Sequence, residues 1–552
     1  MGDVHNLADA VRRAGAADPD APALIVPAAV VASSVAPWWT SPVADMPDAV
    51  ITWGQLDRRV DSVATALTAL DLPSTAGAPA RVAIGLPNVP EFAEAFFGVL
   101  RAGLVAVPLN PGYTARELRY QLHDSGASVI IATAGVLDAV AEVRAQLPAL
   151  RHVYSIGGVT PVGALPFGGP IQDGGRFAAT AGGEDLAVLL YTSGTAGTPK
   201  GAMLSHRALI ANHRQVAGVD PPIVGPGDVV LLALPLFHAF GLNSGLGAVA
   251  WHGACGVLVE RFDPIDSLGL IARQQISVVA GVPPMFVAWS LLPELGESLA
   301  SVRVAVSGAA PLDQAAAHRF LDATRHPIFE GYGLTETSPV VTTALASPVP
   351  KGGSIGRPIP EVEIKLVAAD GSEIARVGQS GLLDEDLYDD DFDDDAGGVP
   401  GTDPGEIVVR GPNLFSGYWP DGADGPDDDG WWATGDVAYA DADGDLFLVD
   451  RLGELILVSG FNVYPREVEL VLAAHPAVAE AAVVGVDSLQ TGQAVKAYVV
   501  LAADATASTE DLRTHCERNL ARFKCPSVIE FVPELPHSAT GKVRKSSLRG
   551  TS

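Results

Sequence analysis

The chain has 552 residues, too many for one hydrophobic core, so we expect two to four domains. Hydrophobic residues make up 48% and charged residues 18%, which is typical of a globular chain rather than a disordered one. Acidic residues outnumber basic ones 65 to 35, and the net charge is −30. This balance disfavours nucleic acid as a main partner, because phosphate binding requires a basic face.

The sequence does not predict export or membrane insertion. The chain has three cysteines, Cys255, Cys516 and Cys525. Their spacing fits neither a disulfide framework nor a zinc site, so we expect a reducing, cytoplasmic location. The N-terminus lacks the layout of a signal peptide. The apolar stretch 21–36 contains Pro22 and Pro27 and predicts a buried strand followed by a loop. Any membrane contact is expected to be peripheral.

Short apolar runs and amphipathic stretches alternate up to about residue 355. Strands are predicted at 81–86, 104–109, 128–132, 229–236, 256–260, 277–282 and 302–308. Helices are predicted at 91–103 and 315–324, and Ser205 is expected to cap another that begins near His206. The alternation predicts an α/β fold, with parallel sheets covered by helices on both faces.

The pattern changes after residue 355. The runs "EVEIKLV" and "GEIVVRG" predict strands of a β-rich subdomain. Between them, nine of the twelve residues in 384–395 are acidic, which predicts a solvated or disordered insertion within about 372–404. Calcium binding is a weaker alternative, because no EF-hand spacing is present. Two helical and two strand patterns then predict a small α+β lid domain at 451–552, after a large domain at 1–450.

The stretch "YTSGTAGTPKG", residues 191–201, has the composition of a phosphate-binding loop. Gly194 and Gly197 permit backbone conformations that direct N–H groups at one point. Hydroxyl groups and one cation are added by Thr192, Ser193, Thr195, Thr198 and Lys200. The spacing is not that of a Walker A loop. Taken alone, an ordinary glycine-rich turn is the competing interpretation.

This loop resembles the signature phosphate loop of the adenylate-forming (AMP-binding) enzymes, which include acyl-CoA synthetases, aryl-CoA ligases, luciferases and peptide-synthetase adenylation domains. Seven more stretches resemble that family's motifs, in the same order. They are "LRAGLVAVPLNP" (100–111), "PLFHAFG" (235–241), "VSGAAPL" (306–312), "EGYGLTETSP" (330–339), "WATGDVA" (432–438), "DRLGELILVSGFNVYPREVE" (450–469) and "PHSATGKVRK" (536–545). A single match would be weak, whereas the ordered set is highly specific.

The resemblance implies a site for Mg-ATP. Tyr332 is implied to stack on adenine, and Asp436 to accept both ribose hydroxyls. Arg451 is implied to contact the ribose or the phosphates. The backbone beside the base is implied to come from Gly308, Ala309, Ala310 and Gly333. Thr335 is implied to meet the α-phosphate, and Glu336 offers a hard oxygen ligand for Mg²⁺.

The resemblance also implies a two-step reaction. A carboxylate and ATP give an acyl-adenylate and pyrophosphate, while Lys542 stabilises the charge at the reacting phosphate. The small domain then rotates about "DRLGEL", and coenzyme A attacks near Ser459, Gly460 and Phe461. Gly453 stands where many relatives carry Asp or Lys, so the usual polar latch of this hinge is missing. Ser538 stands where Thr is commoner.

The acid is predicted from the acyl side of the site. His238 stands where peptide-synthetase domains hold an ammonium-binding carboxylate, which disfavours an amino acid. With the aromatic residue that follows, His238 is implied to gate the acyl pocket, and Gly308, Ala309 and Gly333 imply an open one. "VPPMF" (282–286) either lines a tunnel or belongs to the core.

We therefore expect an acyl-CoA ligase for a medium- or long-chain fatty acid, acting as a monomer or homodimer. An aryl or other hydrophobic acid is the first alternative, and an acyl-AMP ligase that loads a carrier protein is the second. A non-enzymatic nucleotide-binding regulator is disfavoured, because Lys542, Glu336 and the phosphate loop are all intact.

Overall fold

The structure is a computed structural model. It describes residues 4–28, 48–74, 78–157, 160–168, 177–179, 181–192, 199–293, 295–383, 401–458, 461–488, 491–503, 505–537 and 542–548. Within these residues the principal strands form four sheets. None of the helices found there is both long and apolar enough to cross a membrane.

The first sheet has seven strands. In spatial order they are Leu165–Pro166, His152–Ile156, Val129–Thr133, Arg81–Gly85, Val105–Pro108, Leu186–Thr192 and Lys200–Ser205. Neighbours are parallel except for the final pair, which is antiparallel and flanks the predicted phosphate loop. That antiparallel edge was not part of the sequence prediction.

The second sheet has nine strands. In spatial order they are Arg357–Pro358, Val340–Thr343, Ile328–Gly333, Val304–Ser307, Val278–Gly281, Val229–Leu232, Cys255–Leu258, Pro22–Val26 and Ala49–Thr52. The central strands are parallel and both edges are antiparallel. The predicted strand at 229–236 ends at Leu232, because the Asn88 side chain hydrogen-bonds the carbonyls of Leu232 and Leu234 and the N–H of Leu236.

Helices cover both faces of the parallel sheets, as the alternation predicts. Alternate residues of one strand enter different cores, with Val82 and Ile84 beside Phe92 and Phe96, and Ala83 on the opposite face. The helices are Asp9–Ala17, Trp53–Thr68, Pro90–Arg101, Ala115–Ser125, Ala134–Val143, His206–Ala217, Ala248–His252, Pro264–Gln274, Pro283–Ser290, Leu295–Ser298 and Gln314–Thr324. Ser205 caps the helix from His206 by accepting the Ala208 N–H, which confirms that prediction.

The third sheet has six antiparallel strands and forms the predicted β-rich subdomain. They are Gly381–Leu382, Glu373–Gly378, Glu363–Val367, Gly405–Arg410, Trp431–Ala440 and Leu446–Arg451. The first two lie inside 372–404, so the predicted disordered insertion was placed too early. They are ordered because they continue the ladder of Glu363–Val367. The acidic run itself, within 384–400, lies outside the described residues.

Three aspartates at one turn of this subdomain approach each other closely. The carboxylates of Asp441, Asp443 and Asp445 surround the Lys351 ammonium at 2.5, 2.7 and 2.9 Å. Burial opposes the charged lysine, but these three hydrogen bonds hold its pKa above the ordinary value. The cluster is therefore an internal ion-pair network.

The fourth sheet and two helices form the C-terminal unit. Its strands are Phe461–Val463, Ile456–Val458, Gly492–Leu501 and Val478–Ser488, with Val528–Phe531 beside Gly492–Leu501. The helices Pro465–Ala473 and Thr509–Asn519 pack against it. The short 3-10 turn Leu452–Glu454 connects this unit to the third sheet. The predicted α+β pattern of this segment is confirmed.

Candidate functional site

The site lies where parallel strands of the nine-stranded sheet end. Val304–Ser307 and Ile328–Gly333 are adjacent, with Ser307 paired to Glu330. The carboxyl ends of such strands form a ligand-binding edge in α/β sheets. The segment 308–310 therefore lies beside Tyr332, and Ala309 adopts a φ of 71°. A non-glycine residue in this conformation carries strain of about 1–3 kcal/mol, which is common at functional sites.

Tyr332, Asp436 and Arg451 form one cluster. Asp436 and Arg451 are paired residues of adjacent antiparallel strands, and their Oδ1 and Nε atoms are 2.8 Å apart. The Tyr332 hydroxyl donates to Asp436 Oδ2 at 2.8 Å. Burial, and then Asp436, raises the pKa of Tyr332, so the phenol stays protonated. The structure thus brings Tyr332 to an aspartate that lies 104 positions further along the sequence.

Glu336 is buried beside a residue that sequence analysis did not single out. It lies in the 3-10 turn Thr335–Thr337, and its Oε1 accepts a hydrogen bond of 2.6 Å from the Tyr418 hydroxyl. Burial, and then Glu336, raises the pKa of Tyr418, so this donor keeps its proton. Sequence analysis did not identify Tyr418, because the residues around it contain no motif that links it to a carboxylate 82 residues away.

The segment around Tyr418 also approaches the phosphate loop. Its backbone bonds the strand after that loop, with Trp419 N–H donating to the Gly201 carbonyl at 2.8 Å. Lys200 Nζ lies 2.7 Å from Asp424 Oδ2 and 4.9 Å from the centre of the Tyr418 ring. Asp424 is a second residue missed from sequence, for the same reason.

Part of the predicted phosphate loop lies outside the described residues. Thr192 and Lys200 are described, and they face each other on the two strands that flank the loop. The predicted site residues that lie outside the described residues are Ser193, Gly194, Thr195, Gly197, Thr198, Ser459 and Gly460. For Phe461 the structure gives the backbone, in the strand Phe461–Val463.

The residues predicted for the acyl side of the site lie close together: His238, Phe240 and Gly308. Burial lowers the pKa of His238 to about 4, so its imidazole is neutral at pH 7. His238 Nδ1 accepts the Phe240 N–H at 3.3 Å, at the start of the π-helical stretch Phe240–Gly247. A Cβ atom on Gly308 would lie 3.0 Å from the Phe240 ring, so the missing side chain lets that ring approach the strand end.

The structure revises one expectation about the acyl pocket and favours one side of another that the sequence left open. A Cβ atom on Gly333 would lie 1.8 Å from the Pro339 carbonyl oxygen, so here the backbone alone excludes a side chain. Gly333 therefore gives no independent measure of an open acyl pocket. In "VPPMF", Phe286 packs edge-on against Trp289 and Phe320 in a buried cluster, which favours the core interpretation left open by the sequence.

Lys542 belongs to the last described segment, and its side chain is exposed. Its ammonium interacts electrostatically with Arg451, Asp436 and Glu454. Asp436 also accepts the Tyr332 hydroxyl, so the C-terminal lysine lies in the neighbourhood of the Tyr332–Asp436–Arg451 cluster.

The junction of a large α/β unit and a small C-terminal unit is a common position for ligand binding in enzymes. Comparison with known families agrees with it. The AMP-binding enzyme family matches residues 11–383, and the AMP-binding enzyme C-terminal domain matches residues 467–542. The chain belongs to the AMP-binding enzyme family.

Relatives and solved structures extend the comparison. A long-chain-fatty-acid–CoA ligase of Escherichia coli is 37% identical over 503 residues, covering 85% of each protein. A 4-coumarate–CoA ligase 2 of Oryza sativa is 35% identical over 494 residues, covering 85% of this chain and 82% of that protein. ATP-bound MatB of Rhodopseudomonas palustris is 29% identical, covers 99% of both chains and gives a TM-score of 0.81. The apo form of MatB gives 0.69 at the same coverage.

Proposed function

We propose that this chain is an ATP-dependent acyl-CoA ligase that joins a medium- or long-chain fatty acid to coenzyme A through an acyl-adenylate. The observation that carries the proposal is the Tyr332–Asp436–Arg451 cluster at the strand ends, with which Lys542 interacts electrostatically. Similarity to the Escherichia coli long-chain-fatty-acid–CoA ligase supports both the reaction and the class of acid.

In the first step a carboxylate oxygen of the acid attacks the α-phosphorus of ATP. The new bond joins that oxygen to phosphorus, and the bond to pyrophosphate breaks. Tyr332 provides a ring for the adenine, and Asp436 still has lone pairs for the ribose hydroxyls beside its two present partners. Lys542 and Arg451 then face the negative charge that develops on the transferred phosphate.

We expect ATP to bind as its magnesium complex. Glu336 fits it, because a buried carboxylate with one oxygen bound by a neutral phenol can still offer a hard oxygen ligand. The ion would neutralise charge on the phosphates when bound. Thr335, in the same short turn, is assigned to the α-phosphate, and Thr192 and Lys200 to the outer phosphates.

In the second step the thiol of coenzyme A attacks the acyl carbon. The carbon–sulfur bond forms, the bond from that carbon to AMP breaks, and the thiol proton passes to solvent. We assign the approach of the thiol to 459–461 and the movement that admits it to rotation of 451–552 about Gly453. The neutral His238 and Phe240 gate the acyl chain without offering a charge to an amino acid substrate.

The test is pyrophosphate release from Mg-ATP by the purified protein, with and without coenzyme A. The acids run from acetate to palmitate, with coumarate and benzoate included. We expect thioester formation that is greatest with the longer fatty acids. A maximum with coumarate would favour the aryl alternative, and pyrophosphate release without any CoA thioester would favour loading of a carrier protein. No release with any acid would refute the ligase assignment.

Substitution of Lys542 tests its assignment to the acyl-adenylate step. Lys542→Ala should lower the rate of acyl-adenylate formation about 100-fold or more, because it removes a cation from the developing charge. Thioester formation from a supplied acyl-adenylate should change little, since Lys542 is assigned to the first step alone. Equal losses in both steps would contradict this role.

A further inference from the structure

Three residues beyond Lys542, a second lysine lies among carboxylates. Lys545 Nζ is 2.8 Å from Glu454 Oε2 and 2.8 Å from Glu469 Oε1. Its side chain is only 13% exposed, and those of Glu454 and Glu469 are 23% and 18% exposed. Burial opposes the ammonium, but Glu469 and Glu454 hold the pKa of Lys545 above its ordinary value. Lys545 is therefore a charged, largely buried bridge.

The partners of Lys545 connect three elements. Glu454 ends the 3-10 turn Leu452–Glu454, which contains the proposed hinge. Glu469 lies on the helix Pro465–Ala473, and its Oε1 also accepts the Val483 N–H at 2.7 Å. Glu469 is thus fixed to both a helix and a strand of the C-terminal unit, so it provides a rigid point of attachment.

A third carboxylate lies on the other side of the hinge. Asp450 interacts electrostatically with Lys545 and accepts the backbone N–H groups of Arg451 and Arg466, each at 2.7 Å. Asp450 precedes Gly453 in the chain and Glu454 follows it. Rotation about Gly453 would therefore separate Lys545 from Asp450 while leaving Glu454 and Glu469 in place.

We propose that Lys545 is a positioning residue for acyl-adenylate formation, which holds the Lys542 segment against Glu454 and Glu469 so that Lys542 points at the Asp436–Arg451 cluster. This role rests on the proposed function. A misplacement of about 1 Å at a catalytic group is enough to cost a factor of about 100 in rate. Lys545 needs no contact with substrate, because it acts through the chain that carries Lys542.

The experiment measures the two half-reactions separately. Lys545→Met should lower kcat for acyl-adenylate formation about tenfold to 100-fold, with a much smaller change in the KM values for ATP and acid. Thioester formation from supplied acyl-adenylate should stay within about threefold of the unsubstituted protein, because Lys542 is not needed there. Lys545→Arg should restore most of the first rate, since it keeps the charge.

Lys496→Met is the matched control. Lys496 pairs with Glu530 at 2.9 Å on the sheet of the same unit, and both half-reactions should survive its loss. If Lys545→Met lowers the rates of both half-reactions by the same factor, and Lys496→Met does so too, Lys545 only stabilises the C-terminal unit and the inference is wrong. If Lys545→Met does not fold, Glu454→Gln decides instead, because it removes one of the two ion pairs. An unchanged adenylation rate in that variant also refutes the inference.

Failure of the ligase assignment is distinguishable from failure of this inference. In that case the unsubstituted protein would be inactive with every acid tested.

Discussion

At the scale of single residues, the Tyr418 hydroxyl is the clearest contact whose loss should alter chemistry. Tyr418→Phe removes the 2.6 Å hydrogen bond to Glu336, and such a bond to a charged group contributes about 1.5–3 kcal/mol. We expect the Mg²⁺ concentration for half-maximal adenylate formation to rise about tenfold. Tyr439→Phe is the control, because Tyr439 stacks on Phe447 instead. An unchanged Mg²⁺ requirement would mean that Tyr418 serves only in packing.

Glu91 predicts a dependence of stability on pH. Burial, and then the neighbouring Glu94, raises the pKa of Glu91 to about 7 from 4.5. The folded protein therefore binds more protons than the unfolded chain between these pH values. The stabilisation that this proton binding gives the folded state is lost as pH rises through about 7. Between pH 4 and pH 8, the free energy of unfolding of the unsubstituted protein should fall by about 3 kcal/mol more than that of Glu91→Gln. Denaturant unfolding of both proteins measures this, and a constant difference would contradict it.

At the scale of elements, Arg101 joins three helices. It is fully buried, lies 2.7 Å from Asp57 Oδ1 and 2.9 Å from Asp61 Oδ1, and donates to the Ala8 carbonyl before the first helix. Arg101→Met would leave Asp57 and Asp61 with Arg12 as their remaining cation, so we expect a loss of about 1–3 kcal/mol in the free energy of unfolding. Arg410→Met is the control, because the ion pair of Arg410 with Glu363 is exposed and should matter far less. Equal losses in the two variants would contradict this account.

At the scale of the whole molecule, the chain superposes better on ATP-bound MatB than on apo MatB, with TM-scores of 0.81 and 0.69. Gly453 lies in the 3-10 turn Leu452–Glu454, a conformation that alanine also adopts. Gly453→Ala should therefore retain acyl-adenylate formation and lower thioester formation by about twofold to fivefold, because a Cβ atom narrows the φ/ψ range open to the hinge during rotation. Separate assays of the two half-reactions measure this, and a loss of adenylation or an unchanged thioester rate would place the hinge elsewhere.

Local patterns were enough for most of the fold. Strands such as Arg81–Gly85 and helices such as Gln314–Thr324 follow from short-range periodicity, and Ser205 from the chemistry of a helix cap. Antiparallel sheet edges were missed, because pairing direction depends on strands that are distant in sequence. The strand predicted at 229–236 was too long, because the Asn88 side chain, which lies elsewhere in the chain, hydrogen-bonds the Leu232 carbonyl and the Leu236 N–H.

Short contiguous stretches of the chain were sufficient to identify the family, the order of its motifs and the residue types of the candidate site. Which of those residues come into contact depends on the folded chain. Tyr332 and Asp436 share a hydrogen bond across 104 positions, and Lys200 and Asp424 an ion pair across 224. Contacts over such separations are set by sheet order and domain docking, so Tyr418, Asp424 and Lys545 became visible only in the folded chain.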